Sequence, residues 1–437
     1  MPKTALEKAL KNLERHHPRK IDLGLERIEY VLKKLGNPHH SLPPTIHIAG
    51  TNGKGSTVAF VRAMAEAQGL KVHVYTSPHL VDIRERIVVG SHLISEDAFV
   101  DVLTRTSKAA GDHPLTHFEA LTAAAFLAFH ETRADLLILE TGLGGRYDAT
   151  NVITHPAAVG ITPIDYDHAE FLGRDLAKIT REKAGIFKRG CPAFSAQQSN
   201  LVRSLLGSEA DKLRVTLKSA GEDFQCYAQQ GRLIYEDDNE LLDLPLPVLA
   251  GNHQIGNAGL AISLARSVKI STDAIEKGLL IAQWPARFQA LHSGSLGMMA
   301  AKAGAELWLD GGHNPHAARA LADVIAEREA HTARPLVLIM GMLANKDAPG
   351  FLDAFEGLAH SLIAVPIQDH ASLSAENLID IAKGRGIAGY AADTVLDALH
   401  KALKLFKDDK DIDTAPRILI CGSLYLAGEV LALNELG

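Results

Sequence analysis

The sequence has few cysteines, few aromatic residues and no long apolar run, and each shortage excludes a class of protein. Its three cysteines, Cys191, Cys226 and Cys421, lie far apart and form no CxxC pair, which argues against a disulfide framework or a zinc knuckle and favours a reducing compartment. Aromatic residues make up 5% of the chain, too few for a platform that stacks single-stranded nucleic acid. No run of about 18 apolar residues occurs, so no transmembrane helix is expected.

The net charge and the chain length further restrict the class of protein to which the sequence can belong. The 45 Lys and Arg residues against 52 Asp and Glu residues leave a formal net charge of −7, so no general affinity for nucleic acid is expected. The N-terminal segment lacks the apolar core of a secretory signal peptide, and we therefore expect a cytoplasmic protein. Because 437 residues exceed what one hydrophobic core accommodates, two domains are expected.

The first half alternates short apolar runs with helical patterns, which is typical of α/β domains. TIHIA (Thr45–Ala49) predicts a strand, a glycine-rich loop follows, STVAFVRAMAEAQ has helical spacing, and KVHVYT (Lys71–Thr76) predicts the next strand. The strands of such a βαβ unit run parallel. DLLILE (Asp135–Glu140) and AAVGIT (Ala157–Thr162) are largely apolar, so we expect further parallel strands that are buried on both faces.

The loop after the first strand has the composition of a phosphate-binding site. Gly50, Gly53 and Gly55 allow successive N–H groups to point at an anion beside a helix N-terminus. Lys54 adds a full positive charge for the β- and γ-phosphates. The strict Walker A pattern fails, because Ile48 stands where it requires glycine and Gly55 where it requires a hydroxyl. We nevertheless interpret the loop as a nucleotide-phosphate site.

Because that hydroxyl is missing, a bound Mg²⁺ needs oxygen ligands from other strands. Ligands of open α/β sheets gather at the carboxyl ends of the strands. The candidates that follow predicted strands are Ser77, Glu140, Asp165, Asp167 and His168. One hydroxyl and one carboxylate would suit Mg²⁺, which keeps several waters, whereas histidine is a less usual ligand.

A second α/β series follows WPARFQ (Trp284–Gln289), with strands predicted at ELWLD, PLVLIMG, SLIAVP and RILICGS. We therefore predict a P-loop mononucleotide-binding α/β domain with a mostly parallel sheet in residues 1–287. A smaller, Rossmann-like α/β domain is predicted in residues 288–437. The weaker pattern over residues 195–243 is interpreted as an elaboration of the first domain.

An ordered series of motifs runs through nearly the whole chain. It comprises IDLGLER (21–27), AGTNGKGST (49–57), TSPHL (76–80), ERI (85–87), FEALTAAAF (118–126), ETGLGGRYDATN (140–151), DH (167–168), REKAGI (181–186), WPARF (284–288), DGGHNPHAA (310–318) and GMLANKD (341–347). In this order the motifs resemble the folylpolyglutamate synthase/dihydrofolate synthase family, within the Mur-ligase-like ATP-dependent amide ligases. The family loop looks like GTNGKG, which accounts for the departure from Walker A, and Gly312 stands where the family often has alanine.

The resemblance implies a role for each matched residue. Those implied to bind ATP are Thr51, Asn52, Gly53, Lys54, Gly55, Ser56, Asn257, Arg287, Asp310 and His313. Those implied to surround Mg²⁺ are Ser77, Glu140 and His168. Lys183 matches the lysine that the family carbamoylates, so the expected catalytic residues are Lys54, His168 and Lys183. The expected contacts of the pteridine substrate are Asp22, Leu23, Thr116, His117, Phe118, Glu119, Tyr147, Asp148 and Ala149.

The implied activity is ATP-dependent joining of L-glutamate to dihydropteroate and to reduced folates, through an acyl phosphate. The family also suggests a monomer with small-molecule substrates and neither a nucleic-acid nor a membrane partner. Monofunctional relatives share most of these motifs, so a folylpolyglutamate synthase alone is one alternative. A Mur-type ligase is another, although it would need a further domain for a UDP-sugar. A nucleotide-dependent switch, which would hydrolyse ATP without an acceptor, is the alternative from a different class.

Overall fold

The computed structural model describes residues 5–14, 22–167, 169–173, 175–368, 370–405 and 414–435, and the chain divides into two units. The first unit comprises Met1–Val248 and Gln254–Gln283, and the second comprises Leu249–His253 and Trp284–Gly437. The main change of unit thus falls shortly before residue 287. No feature of the sequence predicted that the short segment Leu249–His253 belongs to the second unit.

An eight-stranded sheet forms the centre of the first unit. Its strands are β1 (Thr45–Ala49), β2 (Val72–Tyr75), β3 (Ile87–Val89), β4 (His92–Leu93), β5 (Leu136–Glu140), β6 (Ala158–Ile161), β7 (Ala193–Ser195) and β8 (Leu217–Ser219). The strand order is β4-β3-β2-β5-β1-β6-β7-β8. The β2–β3 and β3–β4 pairings are antiparallel, and the other pairings are parallel.

Helices alternate with these strands along the chain. They are α1 (Ala5–Glu14), α2 (Glu26–Lys34), α3 (Lys54–Ala67), α4 (Glu96–Ala110), α5 (His117–Glu131), α6 (Ala169–Leu172), α7 (Leu176–Ala184), α8 (Asn200–Leu213), α9 (Asn252–Ser267) and α10 (Thr272–Ile281). Apolar side chains from β2 and β5 pack with α4 and α5 in one core. Side chains from β6, α7 and α8 form another. Burial of this apolar surface is the main favourable contribution to the stability of the unit.

The region interpreted as an elaboration contains α8, β8 and a separate antiparallel sheet. That sheet has the order β11-β10-β9, with β9 at Phe224–Gln229, β10 at Arg232–Asp237 and β11 at Leu241–Pro245. Strands β10 and β11 have a buried residue at every second position, such as Leu233 and Tyr235 in β10. This period of two is typical of a sheet with one face in contact with solvent.

The second unit has a six-stranded sheet of its own. Its strands are β12 (Gln289–Ala290), β13 (Glu306–Leu309), β14 (Leu336–Met340), β15 (Ala359–Ala364), β16 (Ala388–Ala391) and β17 (Arg417–Cys421), in the order β12-β13-β17-β14-β15-β16. The β12–β13 pairing is antiparallel and the others are parallel. The helices are α11 (Gly294–Lys302), α12 (Pro315–His331), α13 (Ala348–Asp353), α14 (Ala375–Lys383), α15 (Val395–Leu405) and α16 (Leu424–Glu435).

The predicted fold class, with two mostly parallel α/β sheets, is confirmed. Each strand predicted from an apolar run is present, because runs such as LLILE and LVLIM are buried along their whole length. The short strands β3, β4 and β12 and the largely exposed β16 had no such run and were not predicted. Within the described ranges, none of the helices combines the length and apolar character needed to cross a bilayer.

Candidate active site

Polar side chains from three neighbouring strands meet at the carboxyl edge of the first sheet. Strands β2, β5 and β1 are adjacent and parallel, so Ser77, Glu140 and the glycine loop lie at the same edge. The Ser77 N–H donates to Glu140 Oε2 at 3.2 Å. Lys54 Nζ lies 4.0 Å from Glu140 Oε1. The carboxylate of Glu140 is buried, so it is a concentrated negative charge beside the loop.

The glycine loop leads directly into α3 and requires glycine where it turns. Gly53 is the N-cap residue of α3 with φ of 87°, a left-handed conformation that side chains disfavour. A Cβ atom on Gly53 would also lie 2.3 Å from Oδ1 of Asn257. Asn257, on α9, is buried and its Nδ2 donates to Gln254 Oε1 at 3.0 Å. The loop and α9 are therefore in close contact within the first unit.

Lys54 lies against the carbonyl groups of its own loop. Its Nζ donates to the carbonyl oxygens of Gly50 at 3.2 Å and Thr51 at 3.1 Å. The Thr51 hydroxyl donates to the Asp165 carbonyl at 2.9 Å, which ties the loop to the segment that follows β6. The ammonium group of Lys54 thus lies within reach of an anion held by the loop amides.

Lys183 is a second lysine at the same loop. It is 5% exposed on α7, and its Nζ donates to the Gly50 carbonyl at 2.7 Å. Burial, followed by the positive charge of Lys54, lowers the pKa of Lys183 to about 7. A substantial share of an amine with this pKa is uncharged at neutral pH, and the uncharged amine is the form that reacts with CO₂.

The donor set at this edge fits Mg²⁺. This ion takes one or two protein oxygens and fills the remaining positions with water and phosphate. Ser77, a hydroxyl residue whose backbone amide contacts Glu140, and the Glu140 carboxylate are two oxygen-bearing residues at this edge. In the part of the chain that the structure describes, no group of three or more His, Cys, Asp or Glu side chains forms a denser metal cluster. His168, the third predicted ligand, lies outside the described residues.

The N-terminal arm is tied to α5 by an arginine that the sequence analysis did not single out. Arg27 Nε donates to both oxygens of Glu119 at 3.0 and 3.1 Å, and its Nη1 pairs with Asp22 at 3.1 Å. Glu119 also accepts from the Thr116 N–H at 2.8 Å, which completes a capping box at the start of α5. Thr116 and Glu119 are buried, whereas Leu23 is 36% exposed.

The loop after β5 is organised by the carboxylate of Asp148. Its Oδ2 accepts from the amides of Gly142 at 2.9 Å and Leu143 at 2.8 Å, and its Oδ1 accepts from the Thr150 amide at 3.0 Å. Burial raises the pKa of Asp148, and these hydrogen bonds oppose that shift. The neighbouring Tyr147 is 49% exposed, so this ring is the accessible part of the predicted Tyr147–Ala149 contact.

The predicted pteridine contacts at residues 116–119 also divide into partly accessible and buried residues. His117 and Phe118 are half-buried, while Thr116 and Glu119 are engaged in the cap of α5. Of the residues predicted to touch a pteridine, the accessible or partly accessible ones are therefore Asp22, Leu23, His117, Phe118 and Tyr147. The buried ones hold the surrounding backbone in place.

A further group of predicted ATP residues lies in the second unit. Asp310 follows β13, and its oxygens accept from the amides of Phe288 at 2.7 Å and Gly312 at 2.6 Å. Burial raises the pKa of Asp310, and the positive charge of Arg287 opposes the shift. His313 is bonded through Nδ1 to the Gly311 carbonyl at 3.0 Å. Asn257, another predicted ATP residue, lies in the first unit.

Family comparisons cover both units. Residues 48–265 match the Mur ligase middle domain, and residues 298–433 match the dihydrofolate synthetase C-terminal domain. An Escherichia coli relative named dihydrofolate synthase/folylpolyglutamate synthase is 33% identical, over 98% of this chain and 94% of its own length. A Halobacterium salinarum relative named probable bifunctional folylpolyglutamate synthase/dihydropteroate synthase is 31% identical over 96% of this chain, which spans only 50% of that longer protein.

A solved structure agrees with these matches. The bifunctional folylpolyglutamate synthase/dihydrofolate synthase of Yersinia pestis, complexed with AMPPNP and a Mn ion, is 31% identical, with a TM-score of 0.85 over 99% of both chains. Identity above 30% over nearly full length, together with the same fold, leaves no room for a chance resemblance. The chain belongs to the dihydrofolate synthase/folylpolyglutamate synthase family of Mur-type ligases.

Proposed function

We propose that the protein is an ATP-dependent ligase that joins L-glutamate to dihydropteroate and adds further glutamates to reduced folates. The observation that carries the proposal is the meeting of Lys54, Glu140 and Ser77 at one sheet edge, beside the glycine loop. This arrangement supplies the charges that a phosphoryl transfer requires, on a chain whose relatives are named for both glutamylations.

The chemistry follows from the low reactivity of a carboxylate. A carboxylate oxygen of the folate substrate attacks the γ-phosphorus of ATP, and ADP leaves with the electron pair of the broken P–O bond. The amino group of glutamate then attacks the acyl carbon of the resulting acyl phosphate. Inorganic phosphate leaves, and the nitrogen loses a proton to give the amide. Catalysis of the first step consists mainly of positioning and charge neutralisation.

The nucleotide is proposed to bind through the glycine loop and a set of supporting residues. The loop residues are Thr51, Asn52, Gly53, Lys54, Gly55 and Ser56, and the supporting residues are Asn257, Arg287, Asp310 and His313. The position of the loop at the N-terminus of α3 and the Lys54 ammonium support this assignment for the loop. We assign residues 1–287 to the ATP-binding domain and residues 288–437 to the C-terminal ligase domain.

A divalent ion is proposed to bind at Ser77 and Glu140, with His168 as the third protein ligand. When bound, Mg²⁺ neutralises phosphate charge during the transfer. Lys183 is proposed to be carbamoylated, which converts its side chain from a cation into an anion. Its burial and its lowered pKa support this modification.

The pteridine is proposed to bind between the N-terminal arm and the loop after β5. Leu23, His117, Phe118 and Tyr147 are available for direct contact. Asp22, Thr116, Glu119, Asp148 and Ala149 are proposed to shape the pocket around them. The Arg27–Glu119 pair supports this proposal, because it ties the arm to the helix that carries His117 and Phe118.

The proposal is tested by measuring phosphate release from ATP with glutamate and either dihydropteroate or tetrahydrofolate. Release that depends on glutamate with both acceptors is expected. Activity with tetrahydrofolate alone would identify a monofunctional folylpolyglutamate synthase, and activity with neither would refute the proposal. A UDP-muramoyl acceptor tests the Mur-type alternative, and release without any acceptor would indicate a nucleotide switch.

We also propose that the enzyme acts as a monomer in the cytoplasm. The three cysteines are free thiols, which suits a reducing compartment. Light scattering of the purified protein is expected to give a mass near 47.0 kDa, and a mass twice as large would contradict the monomer.

A further inference from the structure

A histidine in the middle of the strand that leads into the glycine loop is buried and bonded to the loop after β5. His47 lies in β1 with no exposed surface, between Leu139 of β5 and Val159 of β6. Its Nε2 is 2.9 Å from the hydroxyl oxygen of Thr150. No other residue in β1 has an ionisable side chain. His47 therefore forms an unusual polar link from this strand to the loop after β5.

The hydrogen-bond geometry determines which nitrogen of His47 carries the proton. The Thr150 hydroxyl donates to Asp148 Oδ1 at 2.5 Å, so its proton is not available to the imidazole. His47 must therefore donate from Nε2–H to the Thr150 oxygen, and Nδ1 carries the lone pair. Burial lowers the pKa of His47 to about 3, which keeps the ring neutral at physiological pH.

This link has an energetic disadvantage that an apolar residue would avoid. Nδ1 of His47 is buried and has no hydrogen-bond partner among the described residues. Burying a polar atom without a hydrogen-bond partner is energetically unfavourable. The compensation comes from the other side of the ring, where Nε2–H of His47 starts a hydrogen-bond chain through Thr150 to Asp148.

The end of this chain is the residue that shapes the loop after β5. With the Thr150 hydroxyl included, Asp148 accepts four hydrogen bonds, two of them from the amides of Gly142 and Leu143. Loss of the His47 donor would free the Thr150 hydroxyl to rotate and would weaken its bond to the carboxylate. The backbone segment that carries Tyr147 would then be held in place less firmly.

We propose that His47 is a positioning residue for the acceptor substrate, acting through Thr150 and Asp148 on the loop that presents Tyr147. This inference rests on the proposed function, because the loop matters in this way only if the pteridine binds there. Since His47 precedes the glycine loop on the same strand, it links the acceptor loop to the nucleotide loop through one side chain.

The test compares His47→Leu, which removes the donor, with His47→Gln, whose side-chain amide can donate from nearly the position of Nε2. For His47→Leu, the KM for dihydropteroate is expected to rise roughly fivefold to twentyfold, as loss of one buried hydrogen bond implies. The KM for ATP is expected to change less than twofold, and His47→Gln is expected to restore most of the affinity for dihydropteroate. Titration calorimetry of dihydropteroate in the presence of ADP provides the same comparison without turnover.

His73 offers a matched control in the same sheet. It is also a fully buried histidine, in β2, but its Nε2 is 2.9 Å from the Thr132 carbonyl oxygen and its Nδ1 accepts from the Gly90 amide. His73→Leu is expected to lower the unfolding temperature and to leave the ratio of the two KM values unchanged. An equal change of that ratio in His73→Leu would show a general structural effect and would overturn the proposal.

A double-mutant cycle tests the route through Thr150. Thr150→Val is expected to weaken dihydropteroate binding, and adding His47→Leu to it is expected to weaken binding no further. Additive losses would overturn the proposed chain. If the wild-type protein bound and turned over dihydropteroate while both His47 variants behaved alike, this inference alone would fail. Absence of dihydropteroate binding by the wild type would instead refute the proposed function.

Discussion

Two lysines at the glycine loop occupy different electrostatic environments. Lys54 lies near the carboxylate of Glu140, and its side chain is 16% exposed. Lys183 is buried, and its pKa is lowered to about 7. The environment of Lys183 favours an amine that can lose its charge. The two residues are therefore suited to different roles at the same site.

Replacing Lys54 by alanine is expected to abolish turnover, because the change removes the cation proposed to neutralise the migrating phosphoryl group. A loss of roughly a hundredfold or more in kcat is expected, measured as phosphate released in the presence of dihydropteroate and glutamate. Lys178→Ala, on the exposed side of α7, is the control and is expected to retain normal rates. Near-normal turnover of Lys54→Ala would mean that the loop is misassigned.

Carbamoylation of Lys183 is expected to depend on pH in a defined direction. The protonated amine cannot react with CO₂, so the carbamate is expected to be scarce below pH 7 and to accumulate as the pH rises through about 7. A carbamate signal in the ¹³C NMR spectrum of protein equilibrated with ¹³CO₂ measures this. Lys183→Arg, which cannot form the carbamate, is expected to lack the signal, and a wild-type spectrum identical to that of Lys183→Arg would exclude the modification.

At the scale of elements, α3 is bounded by two glycines with similar backbone angles and different surroundings. Gly53 at its N-terminus has φ of +87°, and a Cβ there would meet Asn257. Gly69 just after its C-terminus has φ of +84°, and a Cβ there would meet nothing within 4 Å. Substitutions at these two glycines therefore distinguish the effect of backbone strain from the effect of the contact between the glycine loop and α9.

Gly53→Ala and Gly69→Ala are each expected to lose about 1–2 kcal/mol of unfolding free energy, because both place alanine in a left-handed conformation. Only Gly53→Ala is expected to weaken binding of a non-hydrolysable ATP analogue, by tenfold or more, because Asn257 must turn away from the loop. Calorimetric titration measures the binding and urea unfolding measures the stability. Equal nucleotide affinity in the two variants would show that the contact between the glycine loop and α9 is not required for nucleotide binding.

At the scale of the whole molecule, each unit has its own sheet and its own core. Both tryptophans of the sequence, Trp284 and Trp308, belong to the second unit, so their fluorescence reports on that unit selectively. A buried arginine of the same unit, Arg417, is 1% exposed. It donates to Glu306 at 2.8 Å and is paired with Glu329 as well.

Replacing Arg417 by alanine is expected to lower the unfolding free energy of the second unit by about 3 kcal/mol, because it leaves two carboxylates without their shared cation. Urea unfolding followed by tryptophan fluorescence measures this loss. Arg385→Ala, which breaks a pair with the exposed Asp353, is the control and is expected to cost less than about 1 kcal/mol. Equal losses in the two variants would show that burial of Arg417 is not what makes its pairs important.

The α/β class, the main strands and the glycine loop were all predictable from the amino-acid sequence. Apolar runs such as TIHIA and LLILE are short, are buried on both faces and are followed by turns, so their period and length predict strands without reference to the rest of the chain. Glycines at a strand–helix junction predict a phosphate site for an equally local reason. The residues that match family motifs could likewise be identified from the sequence, one position at a time.

Which of these residues lie together, and which hold one another in place, follows from the three-dimensional fold. The contacts of Arg27 with Glu119, of Asn257 with the glycine loop, and of His47 with Thr150 join residues about 90 or more positions apart. No local pattern encodes such pairs, because a strand order that places β1 between β5 and β6 brings distant segments into contact. Burial also depends on the tertiary structure: the sequence identified Lys183 only by its family motif, and the surrounding fold makes it a buried amine with a lowered pKa.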